Sequence, residues 1–250
     1  MSETIDNNEL TVKMFPIGES GILVEFGTKI HPDVHRRIKA LTDYLDAHPF
    51  PGMIECVSAF LSVTVFYDSM KVKNLQTNYA EKEQLSYKIV KSILQEILLT
   101  LDYSANNKPR IVEIPVCYGG EFGLDLEYVA EYNKITVDEV IKIHSSGEYL
   151  VYMIGFAPGF PYLGGMSEKI SAPRRQSPRM LIPKGSVGIA GMQTGVYPIG
   201  TPGGWQLIGR TPLELFRPNE CPPSLLKSGD IVKFYPISYE EYENHKEVRL

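Results

Sequence analysis

Apolar and polar positions alternate, turn helical, alternate again and turn helical once more along the first third of the chain. Val12–Ile17 and Ile22–Phe26 are short apolar runs around Gly18-Glu19-Ser20-Gly21, a spacing that predicts a hairpin. Val34, Ile38, Leu41 and Leu45 then recur at helical spacing and predict a helix over 33–46. Pro32 suits its first turn, and His48-Pro49-Phe50-Pro51-Gly52 stops it. Period-two runs return at Met53–Ser58 and Ser62–Tyr67, where Val63, Val65 and Tyr67 share one face. A longer helix is expected over about 78–102, with Leu85, Ile89, Ile93, Ile97 and Leu101 as its buried seam, thickened by Leu94 and Leu98. The polar run Ser104–Lys108 ends it, and Ile111–Ile114 is a further strand. This order implies a two-layer α/β unit with helices on one face of a mainly antiparallel sheet.

The pattern changes near Pro115, because only four of the 21 glycines precede it. Cys117–Gly123 is a glycine-rich loop, and Asp125–Tyr132 a short helix. Thr136 with Glu139 forms a capping-box signature that opens a second short helix through His144. Tyr149–Phe156 is a strand leading into an aromatic, proline- and glycine-rich loop at 157–165. From there to Leu213, glycine and proline cut the chain into short apolar runs, which suits strands joined by tight turns. The last strand is Ile231–Pro236. The expected architecture is α/β plus mainly β: a small two-layer α/β domain over 1–110, a β-barrel domain over 111–240, and a polar tail, frayed or exposed, over 241–250.

Composition narrows the function classes. A net charge of -5 argues against a general nucleic-acid binder, which needs a basic stripe. No apolar run is long enough to span a bilayer, and the polar start MSETIDNNEL does not resemble a signal peptide. Cys56, Cys117 and Cys221 are odd in number and far apart, which fits a reducing, cytoplasmic setting. Neither they nor the histidines show metal-ligand spacing, and His31 with His35 reads as a surface helix turn.

Against the acidic whole, Tyr149–Leu213 holds Lys169, Arg174, Arg175, Arg179, Lys184 and Arg210 but only one acid, Glu168. That excess suggests a net-positive site at the barrel mouth, since arginine offers a rigid fork of donors to carboxylate or phosphate. Arg179, fixed by Pro178, is the foremost candidate, with Lys184 and Arg210 as substrate-binding cations. Solvated loop positions, or a structural ion pair for Arg210, are the competing readings. His144 is either an acid–base group or a helix-end histidine held by the dipole. Glu121 can position a proton, contact Arg179 or lie in solvent, whereas Gln193 and Thr194 can hydrogen-bond a carbonyl or amide. Tyr118 and Tyr162 are candidate pocket hydroxyls or ordinary core and rim aromatics. Gly-x-Ser-x-Gly is absent, there is no P-loop, and Cys117 reads as a buried apolar residue.

Ordered stretches carry a family resemblance: GESGILVEFG (18–27), PVCYGGEFGLDL (115–126), YLVYMIGFAPGFPYLGG (149–165), PRMLIPKGSVGIAGMQTGVYP (178–198), PGGWQLIGRTP (202–212) and SGDIVKFYPI (228–237). The chain resembles the allophanate hydrolase subunit 1 family, also called the carboxyltransferase C/D subdomain family. The resemblance implies a cyclophilin-like barrel in the second half. It implies a subunit, not catalytic alone, of a 5-oxoprolinase complex that converts 5-oxoproline to glutamate with ATP hydrolysis; a histidine-kinase inhibitor and an allophanate or urea-degradation subunit are the alternatives. ATP is used by that complex and is not assigned to this chain. The implied partners are an allophanate hydrolase subunit 2-type protein and a lactam-utilisation-type subunit, or else a histidine kinase. The resemblance places Glu121, His144, Arg179 and Gln193 in the family's shared catalytic set. Leu124 and Lys184 depart from it, because proline and alanine are common there in the family.

Overall fold

The structure is a computed structural model that describes residues 12–75, 85–103 and 108–247, apart from the side chains of Lys246 and Glu247. The segment MSETIDNNEL, the start of the second predicted helix and most of the Ser104–Lys108 breaker lie outside the described residues. The chain forms two compact units, 1–107 and 108–250.

In the first unit β1 (Lys13–Ile17) and β2 (Gly21–Glu25) form the expected hairpin, with Gly18 at φ 58° in its turn. β3 (Met53–Ser58) and β4 (Ser62–Tyr67) form a second hairpin, and β2 pairs with β4 to give an antiparallel sheet in the order β1-β2-β4-β3. α1 (Pro32–Ala47) buries Val34, Ile38, Leu41 and Leu45 against Ile22, Val24, Val63, Val65 and Tyr67 of the sheet. His35 is buried with them, so the expected surface turn is half wrong: His31 caps α1 by accepting from the Asp33 N–H, and His35 joins the interior. A short helix that the periodicity did not announce, α2 (Ser69–Lys73), is nucleated by the Asp68 carboxylate accepting from the N–H groups of Met70 and Lys71. α3 (Ser86–Thr100) buries Ile89, Val90 and Leu94. Leu85 is instead an exposed cap residue, so the buried face is rotated from the predicted seam, and Ile93, Ile97, Leu98 and Leu101 lie at its margin.

The second unit opens with β5 (Ile111–Tyr118), four residues longer than expected. α4 (Leu126–Asn133) and α5 (Val137–Ser145) follow, and the Thr136–Glu139 capping box is formed. Next come β6 (Tyr149–Ile154), β7 (Pro161–Gly164), a 3₁₀ turn at Glu168–Ile170, β8 (Arg179–Ile182), β9 (Ser186–Ala190), β10 (Gln193–Val196), β11 (Thr201–Gly203), β12 (Gln206–Arg210) and β13 (Ile231–Pro236). Seven of these strands form one sheet in the order β10-β9-β12-β5-β13-β6-β7. Its two edges lie against each other, since a Cβ on Gly195 of β10 would sit 3.4 Å from the Pro161 carbonyl of β7. The result is the expected nearly closed barrel after an α/β unit. β8 and β11 form a separate two-stranded ribbon.

One side of the sheet carries the large core, in which Val116, Val187, Ile189, Ile208 and Phe234 pack with Leu126, Val129 and Val140 of the helices. A smaller cluster of Phe160, Ile182, Ala190, Tyr197, Trp205 and Leu207 joins β8 to the barrel. The tail expected to be frayed or exposed is helical as α6 (Tyr239–Glu247); most of its described side chains are exposed, but Tyr242 is buried with Cys117 and Phe122. Among the described residues no helix is long and apolar enough to cross a membrane.

Candidate functional site

Two polar assemblies are built into the second unit. The first is a buried chain centred on His144, the penultimate residue of α5. The Tyr118 hydroxyl lies 2.7 Å from its Nδ1, and Thr194 Oγ1 lies 2.8 Å from its Nε2. Thr194 spends its own hydroxyl proton on the Gly188 carbonyl at 3.1 Å. Its oxygen must therefore accept from Nε2–H, which leaves Nδ1 bare to accept from Tyr118. The imidazole is wholly buried, stacked on Phe234 at 4.6 Å, and the Tyr149 hydroxyl donates to the His144 carbonyl at 2.7 Å. Burial pushes its pKa down to about 3, so the ring is neutral at pH 7. Burial also holds the Tyr118 phenol well above its ordinary range. Both ring nitrogens are engaged by protein, so the assembly is an oriented strut and not an acid–base group open to substrate.

The second assembly surrounds Asp125, which is 5% exposed. Its carboxylate accepts two parallel bonds from Arg179, Nη1 to Oδ2 and Nη2 to Oδ1, both at 2.9 Å. It also accepts from Arg175 Nη1 at 3.0 Å and from the Leu207 N–H at 2.7 Å. The Asp125 N–H in turn donates to the Leu207 carbonyl at 2.8 Å, so this residue continues the ladder on β12 beyond the reach of β5. It stands at the N-cap of α4, but its side chain makes no capping bond, having turned to the arginines. Two guanidinium groups against one carboxylate leave the cluster with a net positive charge. The loop before it is tightly drawn: Gly119 and Gly120 have φ of 72° and 53°, and a Cβ on Gly123 would lie 2.3 Å from the Ile208 carbonyl oxygen.

The predicted residues are thus distributed. Tyr118 and His144 come together, and Arg179 joins Arg175 on Asp125, an acid whose sequence context announces only a helix start. Gln193 is half-buried at the head of β10; its neighbour Thr194, not Gln193, reaches the histidine. Glu121 is exposed in the glycine turn and makes no contact with Arg179. Tyr162 packs edge-on to Phe160, and Lys184 is exposed and paired with Glu214 at 2.9 Å. Arg210 lies with its guanidinium carbon 4.8 Å from the centre of the Phe122 ring. The cationic excess of Tyr149–Leu213 is therefore only partly compensated by acids outside it: Asp125 is shared by Arg175 and Arg179, and Glu214 pairs with Lys184. Cys117 is buried, and burial raises its thiol pKa, in keeping with an apolar role. No group of three or more His, Cys, Asp or Glu among the described residues could hold a metal ion.

Residues 12–226 match the family profile described as carboxyltransferase domain, subdomain C and D. The chain is 56% identical over 232 residues to the B-type subunit of 5-oxoprolinase from Bacillus subtilis (strain 168), covering 92% of this chain and 95% of that protein. It is 38% identical over 230 residues to the corresponding 5-oxoprolinase subunit from Escherichia coli O157:H7, covering 90% of this chain and 95% of that one. The crystal structure of TTHA0988 matches with a TM-score of 0.73 at 32% identity, over 87% of this chain but 40% of that larger one.

Proposed function

The chain belongs to the carboxyltransferase family, subdomain C and D, and on that premise we propose that it is the B-type subunit of a 5-oxoprolinase complex. The reading rests on one observation, the end-to-end likeness to the Bacillus subtilis protein. A match over a whole subunit supports the same place in an assembly, which a shared fold does not. The proposed reaction opens 5-oxoproline to glutamate while ATP is hydrolysed. A water oxygen ends on the lactam carbonyl carbon, the C–N bond breaks, and the ring nitrogen takes up a proton as the new amine. The proposal assigns ATP to the other subunits, an allophanate hydrolase subunit 2-type protein and a lactam-utilisation-type protein.

Within this chain the proposal gives the Arg175–Asp125–Arg179 cluster the role of a fixed cation. Preorganised positive charge stabilises oxyanion character developing at the lactam oxygen without reorganising during reaction. Gln193 is the amide that orients the lactam, with Tyr162 and Lys184 at the rim. Glu121, a carboxylate paired with neither Arg175 nor Arg179, is the proton carrier; Tyr118 and His144 stiffen the interior of the unit.

Reconstitution tests the reading. The chain and the two partner subunits, each verified as folded, are mixed with ATP and 5-oxoproline, and glutamate is measured. Glutamate is expected only when all three are present, and its absence from the full mixture overturns the assignment. In the active mixture Arg179→Ala is expected to lower kcat at least tenfold. A wild-type rate in that variant removes Arg179 from the site.

A further inference from the structure

Arg210 closes β12, directly opposite Ser186 of β9 on one side and Cys117 of β5 on the other. Side chains of cross-strand partners leave a sheet on the same face, so these three form one row. Cys117 packs with Phe122 and Tyr242, and the Arg210 guanidinium lies over the Phe122 ring. The arginine stem runs against bare backbone at Gly185, where an added Cβ would meet Arg210 Cγ at 3.3 Å. Arg210 is half-buried and forms no ion pair with any described carboxylate, unlike Arg110, Arg175, Arg179 and Arg217 in the same unit. Its Nε is buried without an acceptor, and so is the Oγ of Ser186, a residue that is 0% exposed.

Stacking on an aromatic ring accounts for the position of the guanidinium, but leaves both orphan polar atoms unexplained. A buried donor without an acceptor is destabilising, and two neighbouring ones are seldom tolerated without a partner. The chemistry of the pair is one-sided. A guanidinium only donates, so a serine hydroxyl beside it cannot give its proton to it and must find an acceptor elsewhere. What completes such a pair is an acceptor oxygen, and the positive charge of the guanidinium favours one that carries negative charge. Arginine with a hydroxyl suits the planar fork of a carboxylate. Phe122, itself packed on Tyr239 and Tyr242, and Cys117 are buried beside the guanidinium and hold the arginine in place.

We propose that Arg210 and Ser186 form a carboxylate-binding subsite, with Phe122 holding the guanidinium in place. The foregoing functional reading is needed only to name the carboxylate, which would then be that of 5-oxoproline or of the glutamate formed from it.

The test has two arms. In the first, the full chain alone is titrated with 5-oxoproline, L-glutamate, acetate and inorganic phosphate, followed by the NMR signals of the Arg210 side-chain N–H and of Gly185. Saturable shifts with a carboxylate are expected; Arg210→Gln and Ser186→Ala are each expected to weaken binding about tenfold or more, and Arg210→Lys to restore part of it. Saturation by phosphate but by no carboxylate, no binding at all, or equal binding by folded Arg210→Gln overturns the proposal. In the second arm, the reconstituted complex is assayed with the same variants, and a raised KM for 5-oxoproline with kcat less affected is expected. An unchanged KM in an active complex sinks the subsite while leaving the functional reading intact. An inactive complex whose B-type chain still binds carboxylate through Arg210 sinks the functional reading and keeps the subsite.

Discussion

Replacing Asp125 by alanine strips two arginines of their shared counter-charge and leaves the Leu207 N–H without its acceptor. Removing one partner from a buried ion pair costs about 3–5 kcal/mol, mostly as the penalty of the charge left behind. The side chain of Arg179 is 19% exposed and that of Arg175 36% exposed, so relaxation toward water recovers part of that and puts the expectation near the lower figure. A lost backbone acceptor adds about 1 kcal/mol. The net expectation is about 3–4 kcal/mol for the alanine variant, and roughly half as much for Asp125→Asn, which keeps an oxygen for Leu207. Trp205 is the only tryptophan and belongs to the second unit, so its fluorescence during guanidinium unfolding reports on that unit alone. With a slope of about 4 kcal/mol per molar, the midpoint should fall by roughly 1 M. A midpoint within about 0.2 M of wild type would refute the claim that this carboxylate organises the cluster.

Three further outcomes follow from the two assemblies. Thr194→Val keeps the shape but leaves the His144 Nε2–H without an acceptor, and the second unit should lose about 1–3 kcal/mol by the same fluorescence assay. For pH, the His144 pKa is depressed in the fold to about 3 against an ordinary 6.5, so the unfolded chain binds the extra proton first. Its contribution is complete above pH 6.5 and is lost as pH falls toward 3, with about 2 kcal/mol gone between pH 7.5 and 5. His144→Gln should flatten the Trp205-reported stability over that window, and an unchanged slope would show that the histidine is not buried neutral. Gly123→Ala, whose methyl would meet the Ile208 carbonyl oxygen at 2.3 Å, should displace the loop holding Asp125 and lower the midpoint by at least half as much as Asp125→Ala.

Much of the architecture was legible because burial is periodic. β3, β4 and β13 begin and end where alternation does, and the Thr136 capping box marked α5 by local chemistry alone. The misses share a cause, which is dependence on distant residues. Leu85 fits a helical repeat, but the helix starts one residue later and turns that side chain outward. α6 is polar almost all round and is anchored by Tyr242, whose partners Cys117 and Phe122 lie far back in the chain. The arginine excess was plain, yet its counter-charge comes from 50 and 54 positions earlier, where Asp125 looked like the start of a helix. The only local signal was an acid set between Leu124 and Leu126 after a glycine turn. His144 stood out as a residue of interest, but its neutral, doubly bonded state depends on Tyr118 and Thr194, brought in from β5 and β10.

The parallel pairing of β5 with β13 sets an order of events on the ribosome. β5 has β12 and β13 as its two neighbours, and Arg110 at its threshold binds Asp230, 120 residues later. The α/β unit, by contrast, builds its sheet from two hairpins and one link between them, all available before β5 is translated. The nascent chain must therefore carry its first barrel strand with both edges open until β12 is made, and with one edge open until β13 is made, a long window of exposure for a non-local pairing. A premature stop before Ile231 would leave that strand permanently without one neighbour, so quality control should meet this protein mainly as chains with an unfinished barrel.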